Sequence, residues 1–146
     1  MRTGLTISSV WEDSSLLEVR VTATNVLFQG TAHIYINPGQ LSEAGKLLRG
    51  FPTNRSDVRE IQWGDLSENG ACGGVNLKFS CKDPKGHSQV EVRIASDLRF
   101  GPVDSAHLFI PIEPAAVDEF IRDLDRLVGD RTHTACLTSP SLATSY

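Results

Sequence analysis

The sequence predicts an α+β fold, a mostly antiparallel sheet of about seven strands with two helices packed on one face. Alternating apolar and polar residues, typical of strands with one buried face, recur along most of the chain. Apolar residues at helical spacing occur in only two segments, and runs of strands broken by two helices disfavour an alternating parallel fold. The predicted order is β-β-β-α-β-β-β-β-α, in a single domain spanning residues 1–129.

The strand predictions follow this alternation along the chain. Thr24-Asn25 separates the second and third segments, which predicts a hairpin. Asp83-Pro84-Lys85-Gly86 supplies turn residues between the fifth and sixth segments. The predicted strands cover residues 5–7, 17–22, 31–36, 58–63, 75–82, 89–94 and 106–112.

Each predicted helix has a marked start. Asn37 can cap the first helix, Pro38 suits its first position, and Gln40 stands where a capping-box residue would reach back. Pro114 opens the second helix, whose continuous apolar stripe ends before Gly129.

The two halves of the chain share a pattern. Ile36-Asn37-Pro38 and Ile112-Glu113-Pro114 each lead from a strand into a helix with apolar residues at matching positions. This pattern predicts an internal repeat with the two helices related by an approximate twofold axis. The alternative is that any junction of strand, proline and helix looks like this.

The C-terminal residues 130–146 lose all periodicity. They are rich in serine and threonine and include Pro140. We predict a weakly ordered tail that adds little stability.

The composition excludes several classes of protein. The net charge is −4 and no basic stripe is present, so we expect no nucleic-acid partner. No apolar window is long enough for a transmembrane helix, and the N-terminus lacks the apolar block of a signal peptide. The three cysteines are few and unevenly spaced, which is typical of free thiols in a reducing compartment. We therefore expect a cytoplasmic protein without a membrane partner.

No motif in the sequence specifies a reaction. The glycine-rich segment 69–74 leads into a predicted strand and lacks the Lys-Ser/Thr pair of a phosphate loop, so a hairpin loop is the better interpretation and an anion site the alternative. Cys72 has no evident partner to activate it. The four histidines and three cysteines show no metal-binding spacing, and no carboxylate pair suits acid–base catalysis. We predict a protein that is not an enzyme and holds no metal or cofactor.

One set of polar and aromatic residues lies opposite the buried phase of three predicted strands. If both helices cover one face of a single sheet, these side chains stand on the other face and form a recognition surface for a protein partner or a second copy. The alternative is that a curled sheet or a second layer buries them. The candidate residues are His33, Tyr35, Glu91, Arg93, His107 and Phe109.

Six short stretches between residues 10 and 128 carry a resemblance: Leu16-Leu17-Glu18-Val19-Arg20-Val21, Gly50-Phe51-Pro52, Gly74-Val75, Gly86-His87, Val90-Glu91-Val92-Arg93 and Pro114-Ala115-Ala116-Val117-Asp118. In these stretches the chain resembles a group of small bacterial proteins with no assigned activity, so the resemblance implies no site residue. The order of strands and helices is also similar to that of bacterial toxin-immunity proteins, a likeness of architecture alone.

The leading functional prediction is a non-enzymatic protein-binding module, either an immunity-type protein or a regulatory partner. The alternative is a small-ligand binder or an enzyme whose pocket assembles only in three dimensions. A flat apolar and aromatic patch would favour the first, and a deep pocket with several polar groups would favour the second.

Overall fold

Strand pairing divides the chain into two antiparallel sheets. The structure is a computed structural model that describes residues 3–67, 72–85, 87–130 and 133–140. The first sheet has the order β3-β2-β1-β8 and the second has the order β4-β5-β6-β7. The elements are β1 (Gly4–Glu12), β2 (Leu17–Thr24), β3 (Gln29–Ile36), α1 (Pro38–Leu48), β4 (Val58–Gly64), β5 (Gly74–Cys81), β6 (Ser88–Ala95), β7 (Ser105–Ile112), α2 (Pro114–Leu127) and β8 (Thr134–Thr138), with a short 3-10 helix at Leu98–Phe100 between β6 and β7.

The α+β class, the antiparallel pairing and the predicted element order are confirmed. The single sheet of about seven strands is corrected to two sheets of four strands each. Alternation predicts which face of a strand is buried, but it carries no information on which strands pair, so the division after β3 could not be foreseen.

One apolar core joins the two sheets and the two helices. Both helices contribute their apolar stripes to it, with Leu41 and Leu48 from α1 and Phe120 and Leu124 from α2 fully buried. The helices approach each other closely at Gly45, where an added Cβ would lie 3.5 Å from Ile121 Cγ2. The predicted capping box of α1 is present, since Asn37 and Gln40 each accept a backbone N–H bond from the other.

Strand register reveals two copies of a β-β-β-α-β unit. Gly4 opens β1 and pairs with Thr24 of β2, while Gly74 opens β5 and pairs with Ala95 of β6. The units exchange their fourth strands, because β4 follows α1 but pairs with β5, and β8 follows α2 but pairs with β1. The internal repeat predicted from the two proline junctions is therefore present in the topology.

Part of the predicted C-terminal tail is a strand. Thr134–Thr138 form β8, and Ala135 and Leu137 are completely buried in the core. The prediction of a weakly ordered tail from residue 130 is therefore wrong for β8. The five residues are too few for a clear alternation, and two of them are buried where β8 pairs with β1 and packs against α2. Residues 131–132 and 141–146 lie outside the described part of the chain.

Candidate partner-binding surfaces

The six predicted surface residues do not share one face. His33 and Tyr35 lie on β3 in the first sheet, whereas the other four, Glu91, Arg93, His107 and Phe109, lie on β6 and β7 in the second. The prediction of one common face depended on a single sheet. Because the strands form two sheets, the six residues form two separate clusters.

The first cluster surrounds a buried carboxylate. Glu18 Oε2 accepts hydrogen bonds from His33 Nδ1 at 3.0 Å and from Arg99 Nη1 at 3.2 Å. Arg99 Nη2 also lies 3.3 Å from the hydroxyl of Tyr35. Burial would raise the pKa of Glu18, but the bonds from His33, Arg99 and Tyr35 outweigh burial and lower it. These bonds join the loop before β7 to the first sheet, while the Tyr35 side chain stays 41% exposed.

The second cluster belongs to a polar ladder across the outer face of the second sheet. Side chains in the same row of an antiparallel sheet are close neighbours, and here two adjacent rows together contain acidic and basic side chains. One row runs Glu60, Lys78, Glu91, Phe109, and the next runs Gln62, Asn76, Arg93, His107.

Glu91 lies at the centre of the second cluster and contacts two of its other members. Its Oε2 lies 2.6 Å from His107 Nε2 and 3.5 Å from Arg93 Nη2. The hydrogen bond from His107 is the main reason that the pKa of Glu91 is lowered. Phe109 extends the cluster, because its ring centre lies 5.3 Å from that of His107 and its side chain stays half-exposed.

The turn between β2 and β3 presents three consecutive apolar side chains to solvent. Val26, Leu27 and Phe28 are 57%, 81% and 61% exposed. Asn25 holds the turn, since its Oδ1 accepts from the N–H groups of Leu27 and Phe28, both at 2.9 Å. Its Nδ2 donates to the carbonyl of Phe109 at 3.0 Å, which fastens the turn beside β7. We call Val26, Leu27, Phe28, His107 and Phe109 together the β7 patch.

The three turn residues of this patch were not predicted from the sequence. The signal was present, because tight turns favour glycine, asparagine, aspartate and serine, whereas here a single asparagine precedes three apolar residues. The sequence does not show whether such a turn is buried, and the structure shows that its three apolar side chains are exposed.

A cleft of about 390 Å³ opens next to the β7 patch. Arg93, Ser105 and His107 contribute its polar lining, and Leu66 contributes an apolar side chain. Its chemistry would suit a small polar ligand. Within the described ranges no three His, Cys, Asp or Glu side chains form a group that could hold a metal ion.

The other sequence candidates are distributed as follows. Gly73 and Gly74 of the glycine-rich segment lead into a strand, and residues 69–71 lie outside the described residues. Cys72, Cys81 and Cys136 are free thiols, each partly buried. No helix in the described part of the chain is both long and apolar enough to span a bilayer.

Comparison with protein-family models, with curated proteins and with solved structures finds no match for this chain. The resemblances to small bacterial proteins and to toxin-immunity proteins therefore stay predictions.

Proposed function

We propose that this protein is a non-enzymatic protein-binding module whose β7 patch inserts into a concave apolar site on a partner protein. The observation that carries the proposal is the exposed Val26-Leu27-Phe28 turn, which is held by two hydrogen bonds to Asn25 Oδ1. A turn does not need apolar residues for its own geometry, and three of them in water are unfavourable unless a partner covers them.

The patch fits a different protein better than a second copy. The turn is a projection, so it requires a recess with apolar walls, whereas the cleft beside it combines apolar residues such as Leu66 with the polar side chains of Arg93, Ser105 and His107. An immunity-type or regulatory protein would use such a pre-formed projection, because little conformational entropy is lost when it binds. We further propose a cytoplasmic setting, which agrees with three free thiols, and no nucleic-acid partner for a chain of net charge −4.

Substitution of the turn tests this proposal. The triple variant Val26→Ser, Leu27→Ser, Phe28→Ser removes only exposed side chains, so we expect an unchanged circular dichroism spectrum and unfolding midpoint. Retention of the partner by the tagged full chain, measured by quantitative mass spectrometry in its own cells, should fall by about tenfold or more. Val128→Ser is the matched control, because Val128 is a half-exposed apolar residue outside the patch.

Two outcomes would contradict the proposal. One is a partner retained equally by the triple variant and the wild type. The other is concentration-dependent self-association of the wild type, seen by analytical ultracentrifugation and lost in the triple variant, which would make the patch a contact between copies.

The cleft beside the patch supports a second candidate, binding of a small ligand. Its volume of about 390 Å³ falls in the usual range of ligand sites, roughly 300–1,000 Å³. Native mass spectrometry of protein purified from its own cells distinguishes the candidates, because a retained small molecule and a retained protein give different mass increments. An Arg93→Ala variant should lose a ligand held in the cleft and keep a partner held by the turn.

A further inference from the structure

Four small residues form the last row of the outer face of the second sheet. The register places them side by side in the order Gly64, Gly74, Ala95 and Ser105. They share the phase of Arg93, so their side chains face away from the core. Because none of these side chains is larger than that of serine, the row forms a depression in this face.

The chain itself covers one half of this row. Gly64 ends β4 with a φ of +74°, a left-handed conformation that favours glycine, and the chain turns there across the outer face. The backbone of Asp65 then lies over Gly74, where an added Cβ would be 2.5 Å from the Asp65 carbonyl oxygen. Leu66 follows and forms one wall of the cleft of about 390 Å³, which opens over the other half of the row.

The equivalent row of the first unit carries larger side chains. It consists of Thr138, Gly4, Thr24 and Gln29. Three of these four side chains occupy the space that glycine, alanine and serine leave open in the second unit. The cleft is therefore not a consequence of the repeated topology, and it depends on the particular residues of the second sheet.

A second depression adjoins the cleft on the same face. It has a volume of about 300 Å³ and shares Leu66 and Arg93 with the cleft. Its remaining lining is entirely polar and consists of Glu60, Gln62, Asn76, Lys78 and Glu91. We call the two depressions together the double cleft. Each has the size of a small ligand site, so the double cleft has room for a ligand of one or two rings.

The double cleft presents hydrogen-bonding atoms of both kinds. Asn76 is only 8% exposed, and its Nδ2 donates to Glu60 Oε2 at 2.7 Å and to Gln62 Oε1 at 3.1 Å. In the described part of the chain no side chain bonds to the other polar atom of these groups. Asn76 Oδ1 and Glu60 Oε1 are therefore available as acceptors, and Gln62 Nε2 is available as a donor.

The charges in the double cleft are already paired. Lys78 stands between Glu60 and Glu91 in one cross-strand row, and Arg93 Nη2 lies 3.5 Å from Glu91 Oε2. Asp65 adds a further negative charge beside the cleft. An anionic ligand would meet three carboxylates and two cations that already have acidic neighbours. A neutral ligand with many donors and acceptors avoids this cost.

We infer that the double cleft is a binding site for a neutral saccharide. Each sugar hydroxyl both donates and accepts hydrogen bonds, which matches the mixture of amide, carboxylate and guanidinium groups in the lining. The apolar C–H groups of a sugar ring would pack against Leu66 on one side and the exposed ring of His107 on the other. The inference rests on the second candidate function, binding of a small ligand, and names the class of that ligand.

The experiment titrates the isotope-labelled full chain with four neutral probes and follows its amide signals by NMR. The probes are the methyl glycosides of glucose, galactose, mannose and N-acetylglucosamine, each added to about 20 mM, which detects a Kd of about 1 mM. We expect at least one probe to shift the amide signals of Arg93, Ala95 and Ser105 in a saturable way. The corresponding uronide, which adds a carboxylate to the same ring, should bind at least tenfold more weakly.

A disaccharide distinguishes two sources of the sugar. The methyl glycoside of the β1,4-linked disaccharide of the bound sugar is titrated in the same way. Tighter binding of the disaccharide, with additional shifts at Asn76 and Lys78, would identify the end of a glycan chain. Equal binding of the two probes would identify a free monosaccharide.

Two variants test the position of the site. Ser105→Phe fills the cleft from an exposed position and should abolish the shifts, and Arg93→Ala should raise the Kd about tenfold by removing a charged donor. Arg20→Ala is the matched control, because Arg20 is an exposed arginine on β2, the strand equivalent to β6. The triple serine variant of the turn should bind the probe like the wild type, so this inference and the proposed protein-binding function can fail separately.

The inference is overturned if none of the four probes shifts the amides of the double cleft, or if the uronide binds as tightly as the neutral glycoside. It is also overturned if Ser105→Phe retains wild-type binding. If Ser105→Phe alters amide signals far from the cleft, Arg93→Ala decides instead, and an unchanged Kd for this variant would overturn the inference.

Discussion

Arg59 ties the C-terminal end of α1 to the start of β4. Its Nη1 donates to the carbonyls of Leu47 at 3.0 Å and Arg49 at 2.6 Å. Its Nε and Nη2 contact both carboxylate oxygens of Asp57, and its guanidinium lies 5.6 Å from the centre of the Phe51 ring. A planar guanidinium can make all these contacts together, which a lysine could not. The end of the helix and the start of the strand are held together in this way.

Asp57 should make stability depend on pH in the acid range. The hydrogen bond from Arg59, followed by the bond from Thr53 N, lowers its pKa from 3.8 to about 2. A pKa lowered on folding stabilises the protein above the unfolded value and loses this effect as pH falls through the folded value. We expect Asp57→Asn to lower the free energy of unfolding by about 1–2 kcal/mol at pH 7, and by about half as much at pH 3.

Urea unfolding at the two pH values measures this difference. Asp104→Asn is the control, since Asp104 is exposed, and its effect should stay within about 0.5 kcal/mol at both pH values. An Asp57→Asn effect that is the same at pH 3 as at pH 7 would show that the ion pair does not set the pH dependence.

Among the elements, those with a local signal were predictable and those that depend on distant contacts were not. The capping box of α1 and the stripe of α2 lie within a few residues of sequence, and both are confirmed. β1 extends from Gly4 to Glu12, whereas only residues 5–7 were predicted. The prediction was too short because a bulge between Ser9 and Trp11 interrupts the alternation of apolar and polar residues. β8 was missed because its strand character comes from pairing with β1, which is far away along the chain.

Leu137 provides the test of β8 as a structural element. Its side chain is fully buried, so Leu137→Ala removes apolar contacts and leaves a cavity. We expect a loss of about 2–4 kcal/mol in the free energy of unfolding by urea. Thr134→Ala, at an exposed position in the same strand, should cost less than about 0.5 kcal/mol. Equal, small effects of the two substitutions would mean that β8 is not part of the cooperative fold.

Over the whole molecule, the exchange of fourth strands explains why the candidate surface was only partly predictable. The alternation in the sequence identifies side chains that point away from the core. Four of those identified are neighbours on β6 and β7, namely Glu91, Arg93, His107 and Phe109. It does not identify partners from the other unit, such as the bond from Asn25 to the carbonyl of Phe109. The position of the apolar turn in the β7 patch depends on how the two units meet.

The same exchange predicts that neither unit folds alone. In a fragment of residues 1–67, β4 lacks its partner β5 and β1 lacks its partner β8. In a second fragment of residues 72–146, β5 lacks β4 and β8 lacks β1. Each fragment also loses half of a shared core, and chains of this length bury only about 60% of their unfolded surface. We expect each fragment alone to show no cooperative urea transition by circular dichroism, and an equimolar mixture to recover one. A sigmoidal transition of either fragment by itself would show that β4 or β8 can pair within its own unit, and that the exchange is not required for folding.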